Sequence, residues 1–154
     1  MMSNTDALTI YQDLLDKLSD AFISGEEDQF LPHIIYPHSI TTETGVIHVP
    51  NRTSARMHFH KMSEALRAQG ITHYVRSAKT AAFDGPDVIL GTHTTRLLRN
   101  AIEAVPPFQN EMRLERENGV WGVRNSRHMA PYLSWPELLP ALPNPPSSKG
   151  SPDV

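Results

Sequence analysis

Cysteine is absent from this chain of 154 residues. Its absence excludes disulfides, thiolate metal sites and cysteine nucleophiles together. The fold must therefore rest on packing. A chain this long can bury around two thirds of its unfolded surface in one domain without covalent staples. No apolar run approaches the length that spans a bilayer. The start, Met1 to Asp6, has neither a basic n-region nor an apolar h-region. A cytoplasmic protein without membrane contact is expected. Charge of one sign is also lacking: 14 basic and 17 acidic residues are interspersed, for a net charge of −3. That is no footprint for nucleic acid. The chain has no G-x-S-x-G, no phosphate loop and no glycine-rich dinucleotide turn. No cofactor is expected, and the expected partner is a small organic molecule or another protein.

What is present is periodic. Leu8, Tyr11, Leu14, Leu15, Leu18, Ala21 and Phe22 form one apolar stripe at helical spacing. Thr5 or Asp6 would cap that helix and Gly25 would end it. Phe30, Leu31, Ile34 and Ile35 predict a short second helix ending before Pro37. Ser39 to Thr44 and Val46 to Val49 read as a short hairpin turning at Gly45. Asn51 or Thr53 caps a third helix to about Gln69, with Ala55, His58, Phe59, Met62 and Leu66 facing inward. After Gly70 the period changes to alternation. Strands are expected over Ile71 to Phe83, Val88 to Arg99, Phe108 to Arg116 and Val120 to His128. Asp84 to Asp87 and Asn118-Gly119 supply hairpin turns. Residues 131–142 suit a docked extension, and the Pro/Ser-rich end, 143–154, a disordered tail.

This order is an α+β fold: three helices, then a strongly curved antiparallel sheet of four long strands plus a short hairpin. It resembles the nuclear transport factor 2-like superfamily, in particular its SnoaL-like and ketosteroid-isomerase-like members. Three stretches carry the resemblance: Leu18 to Glu26, Ala65 to His73, and Leu114 to Val123 with its Asn118-Gly119 turn before Trp121. It covers roughly residues 6 to 130 and implies a cone-shaped domain, 1–130, with a pocket at the wide end. Members include isomerases, cyclases, dehydratases, hydrolases and domains that only bind, so the fold leaves the function open. The isomerases need a tyrosine on the first helix and an aspartate on the first strand. Leu18 and Thr42 stand there instead, and neither can do that chemistry.

Hairpin arithmetic then assigns faces. A two-residue turn at Asn118-Gly119 pairs Arg116 with Trp121, Leu114 with Val123, Met112 with Asn125 and Asn110 with Arg127. This face changes from apolar to polar, so Asn110, Asn125 and Arg127 would sit where it opens. The other hairpin puts Tyr74, Arg76, Ala78 and Thr80 opposite Leu97, Thr95, His93 and Gly91. That set is taken as the pocket face. Its opposite, with His73, Val75, Lys79 and Arg96, suits a homodimer surface.

His93 is the candidate catalytic residue, as an acid–base or hydrogen-bonding group with space left by Gly91. Alternatively it is a structural histidine bonded to a nearby tyrosine or carbonyl. Arg76 would pair with an anionic ligand, or with a helix glutamate. Tyr36 and Trp121 line the cavity or serve as plain core. The eight histidines lack metal spacing: His58 and His60 point to nearly opposite sides of a helix. No metal is expected. Three functions remain: a binding domain for a small, partly apolar, possibly anionic molecule; a SnoaL-like cyclase, isomerase or hydrolase using His93; and a dimerising assembly domain.

Overall fold

The computed structural model describes residues 3–129. The expected extension at 131–142 and tail at 143–154 lie outside the described residues.

Helix α1, Asn4–Ser24, begins at a capping box. Ser3 accepts from the Asp6 backbone, and the Asp6 carboxylate accepts from the Ser3 backbone. The cap is thus Ser3, two residues before Thr5 and three before Asp6. Gly25, at φ 78°, ends the helix as expected. The second helix is a correction. Only two 3-10 turns form, Glu27–Gln29 and Leu31–His33, and Ile34 and Ile35 already belong to strand β1, Ile34–Thr42. The β-branched pair favours a strand, and Pro37 biases Tyr36 away from helical geometry. Strand β2, Gly45–Val49, pairs back on β1. Helix α2, Arg52–Ala68, is capped by Asn51, whose side chain accepts from Ser54.

The long strands follow: β3, His73–Phe83; β4, Val88–Arg99; β6, Phe108–Glu117; and β7, Val120–Met129. A short β5, Ile102–Glu103, was not foreseen. The order across the sheet is β2-β1-β7-β6-β4-β3, with β5 against β4. Strand β1 runs parallel to β7, so the sheet is mixed, not wholly antiparallel. Asn118 (φ 52°) and Gly119 (φ 79°) both take the left-handed conformation that a two-residue hairpin turn demands.

The helices cover one face of the curved sheet. Phe22, Phe30 and Phe59 pack there with ring centroids 4.8–5.2 Å apart. Leu15, Leu66, Ile89, Leu97 and Leu114 are fully buried beside them. Helix α1 is fastened to β3 through Gln12, which donates to the Arg76 carbonyl and accepts from the Ala78 backbone, at 2.8 and 2.7 Å. A side-chain amide thus supplies the ladder bonds an edge strand lacks. No helix of the described residues is long and apolar enough to cross a membrane.

Candidate functional site

Between the helices and the sheet lies a cavity of about 60 Å³. Its walls are mostly apolar: Leu18, Phe22, Phe30, Phe59, Met112 and Val123. A polar row crosses its floor on four neighbouring strands. Arg76 on β3 stands beside His93 on β4; His93 faces Asn110 on β6; Asn110 faces His128 on β7. All four line the cavity, as do His38 and His58.

Arg76 is only 7% exposed. Its Nε donates to the Ser19 hydroxyl at 2.7 Å, and Nη2 reaches the Leu15 carbonyl at 3.4 Å. The guanidinium stacks over the Tyr74 ring, 4.6 Å from its centroid. No carboxylate pairs with it among the described residues, and Nη1 has no hydrogen-bond partner among them. A buried cation without a counter-ion is costly. The helix glutamate considered from the sequence is not its partner.

His93 is 1% exposed. Its Nδ1 lies 2.7 Å from the Tyr11 hydroxyl, while its Nε2 is buried without a partner. Burial holds the Tyr11 phenol above its ordinary pKa, so it stays a neutral donor. When the phenol donates to Nδ1 the ring carries its own hydrogen on Nε2; when Nδ1–H donates to the phenol oxygen, Nε2 is bare. Burial, then the charges of Arg76 and His128, pushes His93 down to about 2. Such an imidazole stays neutral near pH 7.

The rest of the row is similarly wired. Thr95 donates to Asn110 Oδ1, and Asn110 Nδ2 donates to His128 Nδ1, each at 2.6 Å. His38 Nδ1 donates to the Val123 and Arg124 carbonyls, both at 3.1 Å. Burial lowers His128 to about 3 and His38 to about 4, so both rings are neutral near pH 7. Among the described residues no group of His, Asp or Glu is arranged to hold a metal ion.

Tyr74, Arg76, His93 and Asn110 occupy the cavity face read from the sequence. Four other candidates do not. Asn125 and Arg127 project from the opposite face of the sheet, where they line an open groove. The cause is an extra residue at Arg124. It shifts the pairing so that Met112 faces Ser126 and Asn110 faces His128. A one-residue shift turns every later side chain over. Trp121 packs against Phe83 and under Arg116 at the hairpin end, outside the cavity lining. Tyr36 is also outside that lining, although its hydroxyl is buried without a partner.

A second bulge, at Lys79, turns Thr80 outward and brings Ala81 opposite Gly91. The space at Gly91 does not await a substrate. It holds the Tyr11 ring, since a Cβ on Gly91 would stand 2.3 Å from Tyr11 Cε2. Tyr11, His38 and His128 are the site residues that sequence reasoning missed. Tyr11 was visible only as a member of the helix stripe. His38 alternates with Ile40 on β1, a weak signal. His128 was hidden by the bulge.

Neither a protein-family model nor a curated protein matches the chain in sequence. Solved structures do match in shape. One, from Nostoc punctiforme, is a protein of unknown function with a cystatin-like fold. It is 12% identical, with a TM-score of 0.61 over 83% of this chain and 92% of its own. A nuclear transport factor 2-like protein of unknown function from Shewanella oneidensis is 10% identical, with a TM-score of 0.61 over 83% and 100%. A nuclear transport factor 2-like protein from Cytophaga hutchinsonii is 12% identical, with a TM-score of 0.60 over 84% and 99%. This chain has the nuclear transport factor 2-like fold.

Proposed function

We propose that this domain binds a small, partly apolar anion in the cavity between its helices and sheet, with Arg76 as the receptor for the negative charge. One observation carries the reading. Arg76 is buried, lines the cavity and has no carboxylate partner among the described residues. An anionic ligand would supply the missing counter-ion, and apolar walls would take the remainder of the molecule. The alternative, an enzyme using His93 as acid or base, is less well supported, because Nδ1 is engaged by Tyr11 and the ring resists protonation.

The reading is tested by calorimetry and thermal shift with acetate, propionate and butyrate, each beside its amide. The acids should bind and raise the melting temperature; the amides should not. Arg76→Met should weaken the acids by roughly 10- to 100-fold, the range of a charge-assisted hydrogen bond. Equal binding of acid and amide by the unaltered protein would refute an anion receptor without recourse to any variant.

The outer sheet face is proposed as the surface on which two copies meet. Val75 and Leu90 are exposed there at 38% and 46%, beside Glu111, Arg113 and Arg127. A face with apolar spots and both signs of charge can pair with itself about a two-fold axis. Sedimentation should show a dimer that Leu90→Arg splits. A monomer at 100 µM, on the order of high test concentrations for weak association, would end that proposal.

A further inference from the structure

We infer that the anion is a short 2-oxocarboxylate, with its carboxylate on Arg76 and its keto oxygen on the Nε2–H of His93. The inference rests on the anion-receptor reading and adds a second contact to it. Two observations on different strands converge. Arg76 lines the cavity, and its Nη1 has no hydrogen-bond partner among the described residues. The His93 Nε2 is a buried ring nitrogen without a partner, on a ring 1% exposed. Ala78 faces His93 and Arg76 faces Thr95, so the two donors are diagonal neighbours on one sheet face. Diagonal neighbours stand roughly 7–8 Å apart at most. Their side chains can both reach one small molecule.

The tautomer makes the second contact specific. The proposed site takes the tautomer in which the Tyr11 phenol donates to Nδ1, 2.7 Å away, so that the ring hydrogen sits on the unpartnered Nε2 and needs an acceptor. A carbonyl oxygen answers it and brings no hydrogen of its own. A hydroxyl would bring one, and Asn110 Oδ1 and His128 Nδ1 each already accept one hydrogen bond, from Thr95 and from Asn110. A plain carboxylate must divide its two oxygens between Arg76 and His93, whereas a 2-oxoacid meets His93 with a third oxygen. Size points the same way. A cavity of about 60 Å³ holds roughly four to six water-sized atoms, close to the heavy-atom count of a three-carbon acid.

The experiment compares pyruvate, propionate and L-lactate by calorimetry on the unaltered protein, then on His93→Leu and Tyr11→Phe. Pyruvate should bind at least about tenfold more tightly than propionate, and more tightly than lactate. His93→Leu should bring pyruvate and propionate within about twofold while propionate binding persists. Tyr11→Phe frees the tautomer and should reduce the preference by roughly three- to tenfold without removing His93. Equal affinity for pyruvate and propionate in the unaltered protein overturns this inference and leaves the anion receptor standing. Lactate binding as tightly as pyruvate overturns the keto assignment. Failure of all three acids to bind overturns the receptor reading beneath it.

Discussion

The two faces of the same sheet treat charge in opposite ways. On the outer face, Arg113 and Arg124 share Glu115, with 2.8 Å contacts from each, and Arg96 pairs with Glu103. On the inner face, Arg76 has no carboxylate partner among the described residues, and its polar companions are neutral imidazoles, an amide and hydroxyls. The chain does not lack acids, with 17 of them in its sequence. None of those among the described residues pairs with Arg76. An interior arrangement optimised for stability alone would pair the cation or replace it with a packed apolar side chain. An unpaired interior cation is what the proposed anion site requires.

Acid should break the inner face first, with the largest effect expected here. His38, His93 and His128 have folded-state pKa values of about 4, 2 and 3, all below the unfolded value of 6.5. The neutral rings therefore contribute stability above 6.5. It is lost as pH falls, because the unfolded chain takes up protons first. Between pH 7.5 and 5 each ring that stays neutral loses on the order of 2 kcal/mol, so the total is several kcal/mol. Glu115 on the outer face is lowered, by its hydrogen bond to Arg124 first, from 4.5. Its stabilisation is present above 4.5 and fails only below it. Urea midpoints should thus fall steeply between pH 6.5 and 5, before the outer pair is touched. A flat profile over that window would show that the inner imidazoles are not the buried neutral groups described.

Gly91→Ala comes next. The new Cβ would overlap the Tyr11 ring, and both the ring and helix α1 must shift. Overpacking of this kind costs typically 1–3 kcal/mol. Release of the Tyr11–His93 hydrogen bond should accompany it. Denaturant unfolding gives the stability, and the imidazole nitrogen chemical shifts of His93 report whether the tautomer is freed. A variant as stable as the parent, with unchanged shifts, would separate Gly91 from the site.

Much of the fold was legible in the sequence, because its signals are local. The Asn118-Gly119 turn, the change of period after Gly70 and the stripe on α1 each depend on adjacent residues. The site was legible only as far as alternation ran unbroken. From His73 to Ala78 the pairing with β4 follows the arithmetic, and Arg76 and His93 land on the inner face. The bulges at Lys79 and Arg124 break it. Nothing in Val123-Arg124-Asn125 distinguishes a bulge from a regular strand, since the cause is the pairing of this strand with β1 and β6 together. Tyr11 meets His93 across 82 positions of sequence. That contact follows from how α1 crosses the sheet, which no local pattern encodes.

Removing charge from either face should sharpen the contrast by smaller amounts. Arg76→Met deletes a buried cation with no counter-ion, so the ligand-free protein should keep its stability or gain up to about 1–2 kcal/mol even as anion binding is lost. The outer face should respond less still. Arg113 keeps 37% of its side chain exposed, and Glu115 retains Arg124 when Arg113 is gone. Exposed ion pairs contribute roughly 0–1 kcal/mol and are screened by salt. Arg113→Met should therefore shift stability by less than about 0.5 kcal/mol in low salt, and the shift should shrink toward nothing near 1 M salt, where screening acts within ~3 Å. Urea midpoints for both variants at low and high salt make the measurement. Should Arg113→Met cost more than Arg76→Met in high salt, the outer pairs would be the structural charges, and the inner arginine would lose its claim to be the exception.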